Sequence, residues 1–132
     1  YFAALLADGL RIAGQAEEGL RLLEERENAT TAIDEGWQEP EIRRIRGDLL
    51  LSLPEPDPAA AEAAYRSAIE LARTQEAKWP ELRASTHLAR LLRTQGRDEE
   101  AHPMLASICS WFKEGLDTAD FLEAKALLAE LG

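Results

Sequence analysis

The chain predicts an all-α fold built from stacked helical hairpins. Three observations point to it. Ala and Leu dominate while Val is absent and few residues favour strands, which sets helix ahead of sheet. Apolar residues recur at steps of three and four, as in Leu82, Ser85, Leu88, Ala89 and Leu92, the spacing of one helix face. A turn unit also recurs: in Gly14-Gln15-Ala16-Glu17-Glu18-Gly19 and Gly96-Arg97-Asp98-Glu99-Glu100-Ala101 the same glycine, paired glutamates and small residue stand at the same offsets. The small residues Gly19, Ala61 and Ala101 stand 42 and then 40 positions apart, so the chain is a repeat of about that period. A lone hairpin cannot bury its apolar face, and stacking buries it.

The elements follow in order. A first amphipathic helix through Leu6, Leu10 and Ala13 ends at Gly14, and a second runs from about Ala16 to Asp34 or Glu35 and stops at Gly36. Pro40 suits the first turn of a third helix carrying Ile42, Ile45, Leu49 and Leu50. The stiff loop Leu53-Pro54-Glu55-Pro56-Asp57-Pro58 closes it, with Asp57 as cap and Pro58 at the first position of the next helix. Ala61, Tyr65, Ala68, Ile69 and Ala72 line that fourth helix. Trp79-Pro80-Glu81 opens the fifth, and Gly96 ends it in the left-handed conformation that glycine takes without a Cβ clash.

Asp98 is expected to cap the sixth helix, whose face continues through Ala101, Leu105, Ile108 and Phe112, with Pro103 a discordant residue in its early turns. Asp117 or Thr118 caps a last helix through Phe121, Leu122, Ala124, Leu127, Leu128 and Leu131, the lid that a terminal repeat needs. The expected organisation is one domain over 1–132: hairpins at about 1–36, 37–78 and 79–114, then a capping helix at about 117–131. The amphipathic pattern is already under way at Tyr1, so the chain reads as a piece of a longer protein.

A small residue, three more, then an aromatic residue or Leu, after a helix ended by glycine, resembles the tetratricopeptide repeat. Ala61, Tyr65 and Ala68 carry that likeness, as do Leu92, Gly96, Ala101 and Leu105. The period is longer than the usual ~34 residues, and Gly19 stands where alanine is expected. The stretch from Trp79 to Leu131 is also similar to the C-terminal repeat region of bacterial multidomain adenylate/guanylate cyclase or signalling-ATPase transcriptional regulators. The resemblance implies a TPR-like right-handed superhelix with a regulatory or scaffolding role. It brings no catalytic residue and no cofactor, because that family's chemistry lies in other domains.

Composition narrows the function classes. A net charge of −10 disfavours nucleic acid or an anionic membrane as partner. No apolar run is long enough to span a bilayer, and no secretory signal opens the chain, which suggests a cytoplasmic setting. The single Cys109 excludes a disulfide framework or a thiolate metal cluster and reads as a small core residue. No phosphate-cradling glycine loop, nucleophile elbow or metal-spaced His pair is present, so no catalytic, cofactor or metal site is expected. Trp37 and Trp79 occupy corresponding junctions between repeats, and Trp111 sits beside Phe112 within reach of the lid; the reading for all three is packing, with ligand stacking the lesser alternative.

Charge is the more informative signal. The first helices of the hairpins (1–13, 40–53 and 79–95) carry a balance of +3, and the second helices (15–36, 57–78 and 98–114) a balance of −9. In repeats of this type the first helices line the concave groove. Arg83, His87, Arg90 and Thr94 form one stripe, with Arg44 and Asp48 as counterparts on the third helix and Asp8 and Arg11 on the first. Arginine forks bind carboxylates in pairs, so one reading is a groove for an acidic peptide or a carboxylate tail. The other is a solvated face whose arginines pair with nearby acids. The expected function is protein–protein contact or intramolecular regulation within a larger signalling protein, the alternative being a small-ligand sensor. A homodimer through the exposed N-terminal helix is a further expectation.

Overall fold

The computed structural model describes residues 14–29, 36, 38–114 and 116–131. The described residues form six helices and no strand: α1 (Ala16–Ala29), α2 (Glu39–Leu51), α3 (Pro58–Thr74), α4 (Lys78–Thr94), α5 (Asp98–Trp111) and α6 (Ala119–Leu131). The helix expected over 1–13, the end of the second helix and Trp37 lie outside the described residues, and so does the surface proposed there for a homodimer. None of the described helices is long and apolar enough to cross a membrane.

Local chemistry sets the helix ends. Asp57 accepts from the Ala60 N–H at 3.1 Å, with Pro58 at the start of α3, as its sequence position predicts. Gly96 has φ +73°, and the chain leaves α4 through two backbone bonds, Arg97 N–H to Leu92 O at 2.9 Å and Gly96 N–H to Arg93 O at 3.0 Å. The same pair of bonds closes α3, from Ala77 to Ala72 at 2.8 Å and from Glu76 to Arg73 at 3.1 Å. Here, though, the left-handed residue is Glu76, at φ 56°. Sequence gave no warning of that conformation.

Two expectations at helix starts are corrected or decided. Asp98 does not cap α5: it is the first helical residue, Arg97 holds the cap position, and no side chain bonds the free N–H groups there. Its charge still lies in the first turn with Glu99 and Glu100, against the positive end of the helix. At α6 the cap is Thr118, whose Oγ1 accepts from Phe121 N–H at 3.4 Å. Pro103 lies within α5, and the helix continues through it.

Each helix packs on the next, and α2 also approaches α4 as α4 approaches α6, while the backbones of α3 and α5 nowhere come so close. Thus α2, α4 and α6 lie side by side in one layer, backed by α3 and α5. The larger core runs from α3 to α6 through Ala61, Tyr65, Leu82, Leu88, Leu92, Leu105, Phe121 and Leu127, and a smaller one joins Leu23 of α1 to Ile42, Ile45 and Leu49 of α2. Gly47 sets the fit of α2 on α3. A Cβ there would lie 2.5 Å from Cε1 of Tyr65, well inside contact distance, so only glycine lets the ring rest on the helix.

Candidate functional site

The layer of α2, α4 and α6 presents the polar stripe of α4. Leu82, Leu88 and Leu92 turn into the core, which leaves Arg83, His87, Arg90 and Thr94 on the opposite side, between α2 and α6. The stripe meets carboxylates from both neighbours. Arg83 bridges them, with Nη1 2.5 Å from Glu41 of α2 and Nε 2.8 Å from Asp120 of α6. Arg90 pairs with Glu123 and Arg93 with Glu130, both on α6. Burial works against the charge on Arg83, but Asp120 and Glu41 outweigh it and hold its guanidinium more firmly protonated than usual.

Asp48 is the hub of the site. It is only 8% exposed, yet its two oxygens take three partners: the Tyr65 hydroxyl donates at 2.5 Å, His87 Nδ1 lies at 2.7 Å, and Arg44 Nη1 donates at 3.1 Å. Burial alone would push this carboxyl up, but the bonds from His87 and Tyr65, with the charges of His87 and Arg44, bring it below the ordinary range. Asp48 is therefore an anion in the folded chain. Facing that anion, Nδ1 of His87 carries a proton, which leaves Nε2 as the ring nitrogen available to a ligand. Tyr65 meets the imidazole edge-on, with ring centroids 5.9 Å apart.

Above this hub lies a cleft of about 500 Å³, open to solvent. Its floor is Asp48, Tyr65 and His87; Leu51 and Leu91 give it apolar walls; Arg90, Thr94 and Glu123 stand at its edge. The dimensions suit a side chain or a short segment with one polar end and an apolar flank. Among the described residues, no group of three or more His, Cys, Asp or Glu is arranged to hold a metal ion.

Of the residues singled out in the sequence, Asp48, His87 and Arg90 come together at the cleft. Arg44 supports it from behind, through Asp48 at 3.1 Å and Glu41 at 2.9 Å, and Arg83 is committed to Glu41 and Asp120. Arg11 lies outside the described residues. The stripe is consequently far less cationic than a charge count over the first helices suggests, because Glu41 and the acids of α6 neutralise it.

Sequence reasoning missed the pairing of Asp48 with His87, the part played by Tyr65, and Glu123. One signal was there to use. Asp48 and His87 stand 39 positions apart, close to the period read from the sequence, and Arg44 and Arg83 share that offset, whereas Glu41 reaches Arg83 from one turn earlier on α2.

No family model, curated protein or solved structure matches this chain. Its function rests on the side chains themselves.

Proposed function

We propose that this chain is a TPR-like helical-repeat module, wound as a right-handed superhelix, that binds a protein or peptide segment as a regulatory scaffold within a larger signalling protein. The approach of α2 to α4 and of α4 to α6, without a like approach of α3 to α5, supports the repeat reading. So does the contact between Asp48 and His87, corresponding positions 39 residues apart.

The cleft carries the binding reading. Arg90 and His87 converge there beside Leu51 and Leu91, and a carboxylate of a partner segment would take Arg90 in exchange for Glu123. That exchange costs little. The side chains of Arg90 and Glu123 are 47% and 50% exposed, and ion pairs so solvated are worth roughly 0–1 kcal/mol. Arg83 is less open to such exchange, since Glu41, only 7% exposed, holds one side of its guanidinium while the more exposed Asp120 holds the other. The acidic segment therefore reads Arg90 and His87 rather than the whole stripe.

A second reading, a small-ligand sensor, is favoured by the cleft's volume alone. A peptide array separates the two, with each sequence present both as a free C-terminal carboxylate and as an amide. Acidic or carboxylate-ended peptides should be selected, and Arg90→Ala should weaken them roughly tenfold or more, as expected for a lost charge-assisted hydrogen bond. Peptides that bind Arg90→Ala as well as the parent, or an array with no binders, would overturn the proposal.

A further inference from the structure

A second surface, away from the cleft, lies where α5 meets α6. The large apolar side chains exposed among the described residues are Trp111, Leu116 and Leu122, at 56%, 46% and 55%, and all belong to this junction. Packing thus explains Trp79, whose ring lies tilted against Phe112 with centroids 4.4 Å apart, but not Trp111, which meets Phe112 edge-on at 5.2 Å and leaves its other surface open. Between the two indoles opens a pocket of about 680 Å³ lined by Trp79, Trp111, Phe112, Lys113 and Glu114. Lys78 lies 5.5 Å from the centre of the Trp111 ring, a cation over an aromatic face. An aromatic trough with lysines at its rim suits an extended, proline-bearing, acidic segment, because flat proline rings stack on indoles and arrive already ordered.

The chain itself presents such a segment. Between α2 and α3, Pro54, Glu55 and Pro56 are all exposed. The loop is held at both ends: Leu53 packs on the smaller core, and the Asp57 N–H donates to Leu50 O at 3.1 Å. Proline fixes φ, so Pro54 and Pro56 lose little freedom on binding. Glu55 complements Lys78 and Lys113. Glu114 and Glu81 stand near those lysines too, but Arg73 engages Glu81 at 3.0 Å, which leaves the rim with an excess of one positive charge.

We propose that the Trp79–Trp111 pocket receives the Pro54–Pro56 loop of a second copy of this chain. Loop and pocket are different surfaces, so the contact is head-to-tail, and each added copy leaves one loop and one pocket free. One loop in one trough makes a small interface, and the association is weak and concentration-dependent.

The test uses the whole 132-residue chain in sedimentation velocity over a concentration series, with Trp111→Ala and with Pro54→Ala combined with Pro56→Ala. These side chains are exposed, so both variants should keep the helical circular dichroism of the parent. The parent should associate with rising concentration, and each variant alone should associate at least about tenfold more weakly, as expected for loss of a central aromatic or its partner. An equimolar mixture should form a one-to-one complex and stop there, since one variant retains the loop and the other the pocket. A parent that stays monomeric, variants that associate as the parent does, or a mixture that stays monomeric would each overturn the proposal.

Discussion

Replacing Gly47 by alanine tests the packing that positions the cleft. In an exposed helix interior this change stabilises by about 0.8–1.0 kcal/mol, because glycine is the poorer helix former. Here the new Cβ would lie 2.5, 2.7 and 2.9 Å from Cε1, Cδ1 and Cζ of Tyr65, against a comfortable separation of about 3.5–4.0 Å. The ring is 1% exposed and has nowhere to go except outward with its helix. Overpacking of this kind costs roughly 1–3 kcal/mol. Any retreat of the ring also stretches the 2.5 Å bond from its hydroxyl to Asp48, and a hydrogen bond to a charged group contributes about 1.5–3 kcal/mol. Setting the helix-propensity gain against these losses leaves Gly47→Ala less stable by roughly 1.5–5 kcal/mol.

Urea unfolding followed by far-UV circular dichroism measures the difference. The same substitution in a Tyr65→Ala background supplies the control: without the ring, alanine should be neutral or stabilising. A neutral or stabilising Gly47→Ala in the parent chain, or an equal loss in both backgrounds, would refute the steric account.

Two further outcomes follow from the local geometry, beside those stated for Arg90 and for the Trp111 pocket. Glu76 holds a left-handed conformation that costs an ordinary residue roughly 1–2 kcal/mol, so Glu76→Gly should stabilise the chain by about 0.5–1 kcal/mol after glycine's own entropy is counted; no gain in the urea midpoint would contradict this. Asp48 has a folded pKa below its unfolded value, so its contribution to stability is complete above about pH 4 and is lost as pH falls through the folded pKa. Asp48→Asn should therefore cost about 1–3 kcal/mol at pH 5 and much less at pH 2. Glu62 and Glu100 are shifted in the same direction in both chains, so the narrowing of the gap is the diagnostic, and a gap of constant size would count against the assignment.

How much could be read without coordinates depends on how far each cause reaches along the chain. The exit of α4 at Gly96, the cap at Asp57 with Pro58 behind it, and the faces of α3 to α6 all follow from residues within a turn or two of each other. Arg97 shows where such reading fails. Asp98 is the better capping residue by type, but Arg97 holds the cap position, and its guanidinium reaches Glu62 of α3 at 2.7 Å and Glu100 at 2.5 Å. Glu76 fails for a related reason: the left-handed turn is enforced by the chain's need to reverse into α4, not by any preference of glutamate. Gly47 was legible in part, since a glycine inside a helix asks for a packing reason, but the ring that supplies it stands 18 positions later on another helix.

Periodicity and composition alone were enough for an all-helical chain with an arginine and histidine stripe on α4, because helix faces obey a period that any window of residues displays. They could not say what the stripe meets. Whether Arg83 and Arg90 await an acidic partner or hold acids of their own chain depends on the distance between helices, and Glu41, Asp120 and Glu123 come into reach only when α2, α4 and α6 are laid side by side. The same packing buries Asp48 under Tyr65 and His87 and so creates the cleft. Electrostatic pairing falls off within a few ångströms, whereas the residues that pair here are separated by 33 to 42 positions along the chain.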